Sequence, residues 1–210
     1  MRRINHVTKI VLIFDLVIAL AWGLVTPIMA IFIVGSINGG NAEVAGIATG
    51  IYWIVKSFLQ TPIGNFLDKN HGEKDDFWAL FLGTVLGAIA PIGILFSTLP
   101  WHLYAWQVFS AVCMAFVIPS WGGIFIRHIG KGQEGFLYGL DSTAIGLGAG
   151  IAGVVGGVLA EVLGFETLFI GVAILQLLSG LLLLLIKDDL YVKVIQGLIS
   201  AEDGRKKDLF

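Results

Sequence analysis

Six mainly apolar runs, roughly 10–34, 44–66, 77–97, 102–126, 136–160 and 166–186, alternate along the chain with short polar stretches. Each is close to or above the about 20 apolar residues that a helix needs to cross a bilayer. A backbone in lipid must satisfy its own hydrogen bonds, so these runs are predicted to be helices. The punctuation falls between them: Ser36-Ile37-Asn38-Gly39-Gly40-Asn41, then the polar run from Gly64 to Asp76, then Ser97-Thr98-Leu99-Pro100. Arg127 to Glu134 breaks the fourth run from the fifth, and Gly164-Phe165-Glu166 makes a short turn before the sixth. The first run follows Arg2, Arg3 and Lys9, as a secretory leader would. At about 25 positions it outruns the roughly 7–15 of a cleavable apolar segment and reads as a retained span. Beyond Lys187, the apolar residues Tyr191, Val194, Ile195, Leu198 and Ile199 recur at helical spacing, which predicts a short amphipathic helix or linker stub in a tail over 187–210.

Composition supports lipid as the solvent. The 210 residues are 57% hydrophobic and 13% charged, against roughly 25% charged in ordinary soluble domains, and the mean hydropathy is +0.89. A net charge of −2 points away from a nucleic-acid partner. The single cysteine, Cys113, forms neither an internal disulfide nor a metal cluster and lies in an apolar run.

The basic residues then orient the spans. Arg2, Arg3 and Lys9 precede the first, Lys69 and Lys74 separate the second and third, and Arg127 and Lys131 separate the fourth and fifth. Lys187, Lys193, Arg205, Lys206 and Lys207 follow the sixth, while the other three connections hold no Lys or Arg. This positive-inside pattern predicts that both termini face the cytoplasm.

Three local patterns remain. The second and third spans are joined by Gly64-x-Phe66-x-Asp68-Lys69, then Gly72 and Lys74. The fifth run carries Gly139, Gly148, Gly156 and Gly157, with Gly146/Gly150 and Gly153/Gly157 at the four-residue spacing that lets helices approach closely. In the fourth, Gln107 lies twelve residues before Pro119. Together with the six spans, these resemble the N-terminal half of a major facilitator superfamily transporter over nearly the whole chain. The first pattern follows the family's G-x-L-A-D-R-x-G-R-R loop, with one extra residue before the second glycine and Glu73 in place of a base. The resemblance implies that Asp68 is the acid of a latch between two halves, with Lys69 and Lys74 as its neighbours. The glycines keep the spacing of the family's antiporter motif, although Ala152 and Gly153 stand where its Gly-Pro would be. The arginine that the family often has on its fourth helix is replaced by Gln107, and the following glycine by Ala111. Trp22 and Gln107 fall on helices that line the central cavity in the family.

Ionisable residues within spans are costly and mark cavities or partners. There are three: Asp15, Lys56 and Asp141. Asp15 and Asp141 lie about six residues from their cytoplasmic helix ends, roughly 9 Å deep at the helical rise. An interfacial role is open for each, as is pairing of Asp141 with Lys69, Lys74 or Arg127. Lys56 is deeper and shares a helix face with Tyr52, Trp53 and Gln60. It suits a water-filled cavity, where it would hold an anionic group or change protonation, and an ion pair with Asp15 is the alternative.

No nucleophile–base pair, metal motif or phosphate loop stands out, and the glycine-rich fifth run has no strand before it to make a dinucleotide site. No catalysis and no cofactor are expected. The expectation is an all-α integral membrane protein of a prokaryotic cytoplasmic membrane, a six-helix bundle over 1–186. It would move a small solute after pairing with a second six-helix half, as a homodimer or heterodimer. The competing reading is a non-transporting membrane interaction protein or a split half.

Overall fold

The computed structural model describes residues 4–69 and 73–190. Gly72 of the latch pattern, Arg2 and Arg3, and the expected amphipathic helix after Tyr191 lie outside the described residues. Everything described is helical or short connection: α1 (His6–Val25), α2 (Met29–Ser36), α3 (Ala42–Lys69), α4 (Glu73–Gly87), α5 (Ile89–Leu95), α6 (Pro100–His128) and α7 (Glu134–Leu182). Counted as continuous apolar stretches, α1 with α2, α3, α4 with α5, α6, and α7 with its extension to Leu190 give five helices long and apolar enough to cross a membrane.

Local chemistry explains the breaks. Asn5 caps α1, its side chain accepting from the Val7 N–H at 3.3 Å, and Asn41 accepts from the Val44 N–H at 2.9 Å at the start of α3. Pro27 has no N–H to donate, and α1 gives way there to a 3-10 turn over Thr26–Ile28. Pro91 would have donated to the carbonyl of Gly87, and the helix is interrupted at Ala88 between α4 and α5. Pro119, by contrast, sits inside an unbroken α6.

The fifth and sixth predicted spans follow each other directly as two helical arms of α7, separated by a kink at Gly164 with φ 79° and ψ 168°. That left-handed φ suits glycine, which lacks a Cβ. The contacts of the two arms run in opposite senses along α1 and α2. Before the break, Gly148 packs on Leu16 and Gly156 on Leu24. After it, Phe169 packs on Phe32 and the Ser179 hydroxyl donates to the Phe14 carbonyl at 3.2 Å.

Two apolar cores lie at the two ends of the bundle. One gathers Phe14, Phe77, Ile124, Phe125 and Leu137 with Leu183 and Ile186. The other gathers Phe32, Ile33, Ile94, Leu103, Leu168 and Phe169. The charged groups collect beside the first core: Arg127 pairs with Asp76 and, at 3.5 Å, with Glu73. His6 and Asp189 meet at 2.7 Å, and the Thr8 hydroxyl donates to the His128 carbonyl at 3.0 Å. At the other end, the Asn38 N–H donates to the Thr98 carbonyl at 3.0 Å, joining two connections that carry no base. The polar and aromatic side chains of interest lie between the two cores.

Candidate functional site

α1 positions the site. Its seam with the first arm of α7 is very close, because small residues face each other. A Cβ at Gly23 would come within 2.8 Å of the Ala149 Cα, and one at Gly156 would overlap the Leu24 backbone. Gly148 meets Leu16 and Ala19 at 3.1–3.3 Å. Of the four glycines in the expected antiporter spacing, Gly148 and Gly156 therefore face α1. Gly139 and Gly157 face open space, as do Gly146 and Gly150.

Two adjoining cavities run along α1. The first, about 430 Å³, lies between α1, α4, α6 and α7 and is lined by Phe14, Asp15, Trp22, Trp121 and Ala149 among others. The second, about 280 Å³, reaches α3 and is lined by Trp22, Thr49, Tyr52, Trp53, Gln107 and Ser110 among others. Trp22, Thr26 and Met114 belong to both. Four residues singled out from sequence, Trp22, Tyr52, Trp53 and Gln107, thus meet around one space although they come from three helices. Trp22 is held in place by a relay: its indole N–H donates to Gln176 Oε1 at 3.1 Å, and the Gln176 amide donates to the Thr84 carbonyl at 3.3 Å.

Lys56 is placed differently from the expectation. It is buried, but it lines neither cavity. Its Nζ lies 3.7 Å from the centroid of Trp53 and 5.3 Å from that of Tyr52, so the aromatic rings on its own helix face take its charge. Gln60 on the same face also lines neither cavity. Asp15 does not pair with Lys56. Its Oδ2 accepts from the Trp121 indole at 2.6 Å, and its carboxyl lies within hydrogen-bonding reach of Asp141. Asp141 is buried, 4% exposed, and its Oδ1 has no hydrogen-bond partner among the described residues. Asp141 thus joins Asp15, while Arg127 goes to Asp76 and Glu73.

The latch pattern begins on helix rather than in a loop. Gly64, Asp68 and Lys69 belong to the last turns of α3 and Lys74 to the first turn of α4. Asp68, Lys69 and Lys74 are exposed, and a Cβ at Gly64 would sit 3.2 Å from Pro119 of α6.

Sequence reasoning missed Trp121 and Gln176, which hold Asp15 and Trp22. Gln176 did leave a signal, as the one amide side chain in the apolar run 167–186. Trp121 left none, since a tryptophan near a helix end reads equally well as an interface anchor.

The chain is similar to two curated proteins. One, named an uncharacterized MFS-type transporter, is from Methanocaldococcus jannaschii. It is 26% identical over 160 residues, covering 76% of this chain and 40% of the relative. The other, from Lactococcus lactis subsp. lactis, is named a multi-drug resistance efflux pump PmrA homolog. It is 26% identical over 179 residues, covering 84% of this chain and 43% of the relative. The chain spans less than half the length of either. The sequence profile of the Major Facilitator Superfamily matches residues 11–200. With five helices over the described residues long and apolar enough to cross a membrane, this protein belongs to the major facilitator superfamily.

Proposed function

We propose that the chain is one six-helix half of a secondary transporter, and that it moves a small solute by alternating access once paired with a second such half. The observation that carries this reading is the pair of cavities between the two apolar cores, where Trp22, Tyr52, Trp53 and Gln107 converge. A solute site midway between the ends of a helical bundle, completed by a second bundle, is the arrangement that rocking of two halves requires. The opposed contacts of the two arms of α7 along α1 and α2 support six crossings rather than five. Meeting of the first and last described helices at the charged end supports termini on one side, the cytoplasmic one by the positive-inside rule.

Two unpartnered surfaces support pairing. α3 buries only Val44, Ala48, Lys56 and Leu67 and exposes Ile54 and Phe58. α7 exposes Leu147, Ile151, Val154 and Val158 beside the open glycines Gly146, Gly150 and Gly157. Small residues beside apolar ones let a second helix approach closely in lipid. The second half is either a copy of this chain or a separate one.

Thiol accessibility tests alternating access. In a Cys113→Ala background, Thr49→Cys and Met114→Cys place a thiol in the cavities. With the paired protein in sealed vesicles of each orientation, membrane-impermeant reagents are expected to label these positions from both sides, one side at a time as conditions shift the states. Labelling from one side alone under every condition would overturn alternating access.

A further inference from the structure

Lys56 stands midway along α3 (Ala42–Lys69), about 20 Å from either end at the helical rise. A lysine side chain does not snorkel so far, so its amine must be met inside the membrane. Among the described residues, neither an ion pair nor a hydrogen bond engages its Nζ. What meets it is the Trp53 ring at 3.7 Å and the Tyr52 ring at 5.3 Å, both from its own helix. A ring attracts a cation through its quadrupole but carries no net charge and replaces no hydrogen-bond acceptor. Trp53 is itself 55% exposed, and Ile54 and Ser57 beside it are exposed too. The amine therefore lies one aromatic ring beneath the open side of α3, the side that the proposed second half would cover.

Resting on the transport reading above, we propose that the second half is not a copy of this chain but a different six-helix half, which sets a carboxyl group opposite Lys56 at mid-membrane. A lysine and a carboxyl make a pair that is neutral overall, whether the shared proton sits on nitrogen or on oxygen, and intramembrane ionisable residues characteristically pair in this way. This chain's own acids do not suit the place. Asp15 and Asp141 are the two that lie within the predicted spans away from their ends. They meet each other, Asp15 also accepts from the Trp121 indole at 2.6 Å, and Asp141 is 4% exposed. The other described acids stand at the ends of the bundle, Glu43, Glu161 and Glu166 at one, and Asp68, Glu73 and Asp76 with their neighbours at the other. A copy set against α3 would therefore bring apolar side chains, such as the exposed Ile151 and Val154 of α7, and no uncommitted acid at this depth.

The probes are a synthetic polyleucine transmembrane helix with one central glutamate and its twin with a glutamine there, each carrying a cysteine one turn away. Each is reconstituted in vesicles, dilute in lipid, with the full chain in a Cys113→Ala/Ser57→Cys background, and disulfide crosslinking between helix and chain is measured. The glutamate helix is expected to crosslink about fivefold more than its twin. Lys56→Met should abolish that excess, and Lys56→Arg should keep most of it. Labelled with a fluorophore at Ser57→Cys and reconstituted alone, the chain should photobleach in single steps. Each variant is first checked for a monodisperse elution profile. If Lys56→Met fails that check, the comparison of glutamate with glutamine on the chain that keeps Lys56 decides. Equal crosslinking of the two helices, an excess that survives in a folded Lys56→Met protein, or a stable pair of copies in the chain alone each overturns the proposal. None of these results bears on alternating access, which the thiol labelling decides separately.

Discussion

The seam between α1 and α7 and the seam between α3 and α6 are built on opposite principles. On the first, glycine and alanine face each other so closely that a Cβ at Gly23 or Gly156 would strike backbone, and the relay from Trp22 through Gln176 to Thr84 crosses three helices. On the second, α3 buries four residues of twenty-eight. Ile47, Ile54, Phe58 and Phe66 on it are exposed, Phe58 at 77%. Lipid tails are as apolar as leucine, so close packing and polar links, not burial alone, hold helices together in a membrane. The first seam therefore reads as the fixed spine of the bundle. The second leaves a helix with one side committed and the other available.

The largest test of this contrast sits on the spine. Gly156→Ala puts a methyl group into the Leu24 backbone and should destabilise by about 1–3 kcal/mol, the usual cost of overpacking. Its neighbour substitution Gly157→Ala meets nothing within 4 Å and should leave the melting temperature in detergent unchanged. Equal melting temperatures for the two would remove the distinction between a packed and an open glycine face.

Arg127→Ala is expected to come next, at about 1.5–3 kcal/mol, the range for hydrogen bonds to charged groups. It strands the buried Asp76 carboxylate and cuts the tie between α4 and α6. Thermal unfolding of Arg127→Ala beside Arg127→Ala/Asp76→Ala should show the double variant recovering part of the loss, and no recovery would mean the pair does not act as a unit.

Trp22→Phe keeps an aromatic ring, though a smaller one, and removes the indole N–H given to Gln176. The expected loss is about 0.5–1.5 kcal/mol, measured by the same melting assay. No loss at all would show that the relay does not contribute to the spine.

The smallest effect on a single chain belongs to the open side of α3. Phe58→Ser should change stability by no more than about 0.5 kcal/mol. If that side receives a second half, the same change should reduce inter-chain crosslinking in membranes from a cysteine at Ile54. Undiminished crosslinking would move the pairing surface elsewhere.

Much of the fold was legible in the sequence because the bilayer imposes a length on each helix. Four of the six apolar runs match one apolar helix each, and the fifth and sixth fall together on α7 with its extension to Leu190, while the polar stretch Gly64 to Asp76 is taken up largely by the end of α3 and the start of α4. The family was legible through the resemblance of the Gly64–Lys74 pattern and the glycine spacing of the fifth run to the superfamily's motifs. What could not be read was register between distant helices. Asp15 and Asp141 are separated by most of the chain, and nothing in either run says that they share a seam. Spacing alone likewise could not tell which glycines of the fifth run turn toward α1. The polar-aromatic face around Lys56 was visible as a face. Its meaning was not, because helical periodicity shows that Tyr52 and Trp53 are near the ammonium but not that they stack against it.

The meeting of His6 with Asp189 brings the two ends of the described chain to one side of the bundle. A polypeptide that leaves a layer where it entered can be followed by a copy of itself in the same orientation through a simple connector, with no added crossing. Gene duplication and fusion then demand no new topology. On the proposed pairing, two separate chains oriented alike by the same basic loops and one long chain joined through such a connector reach one geometry.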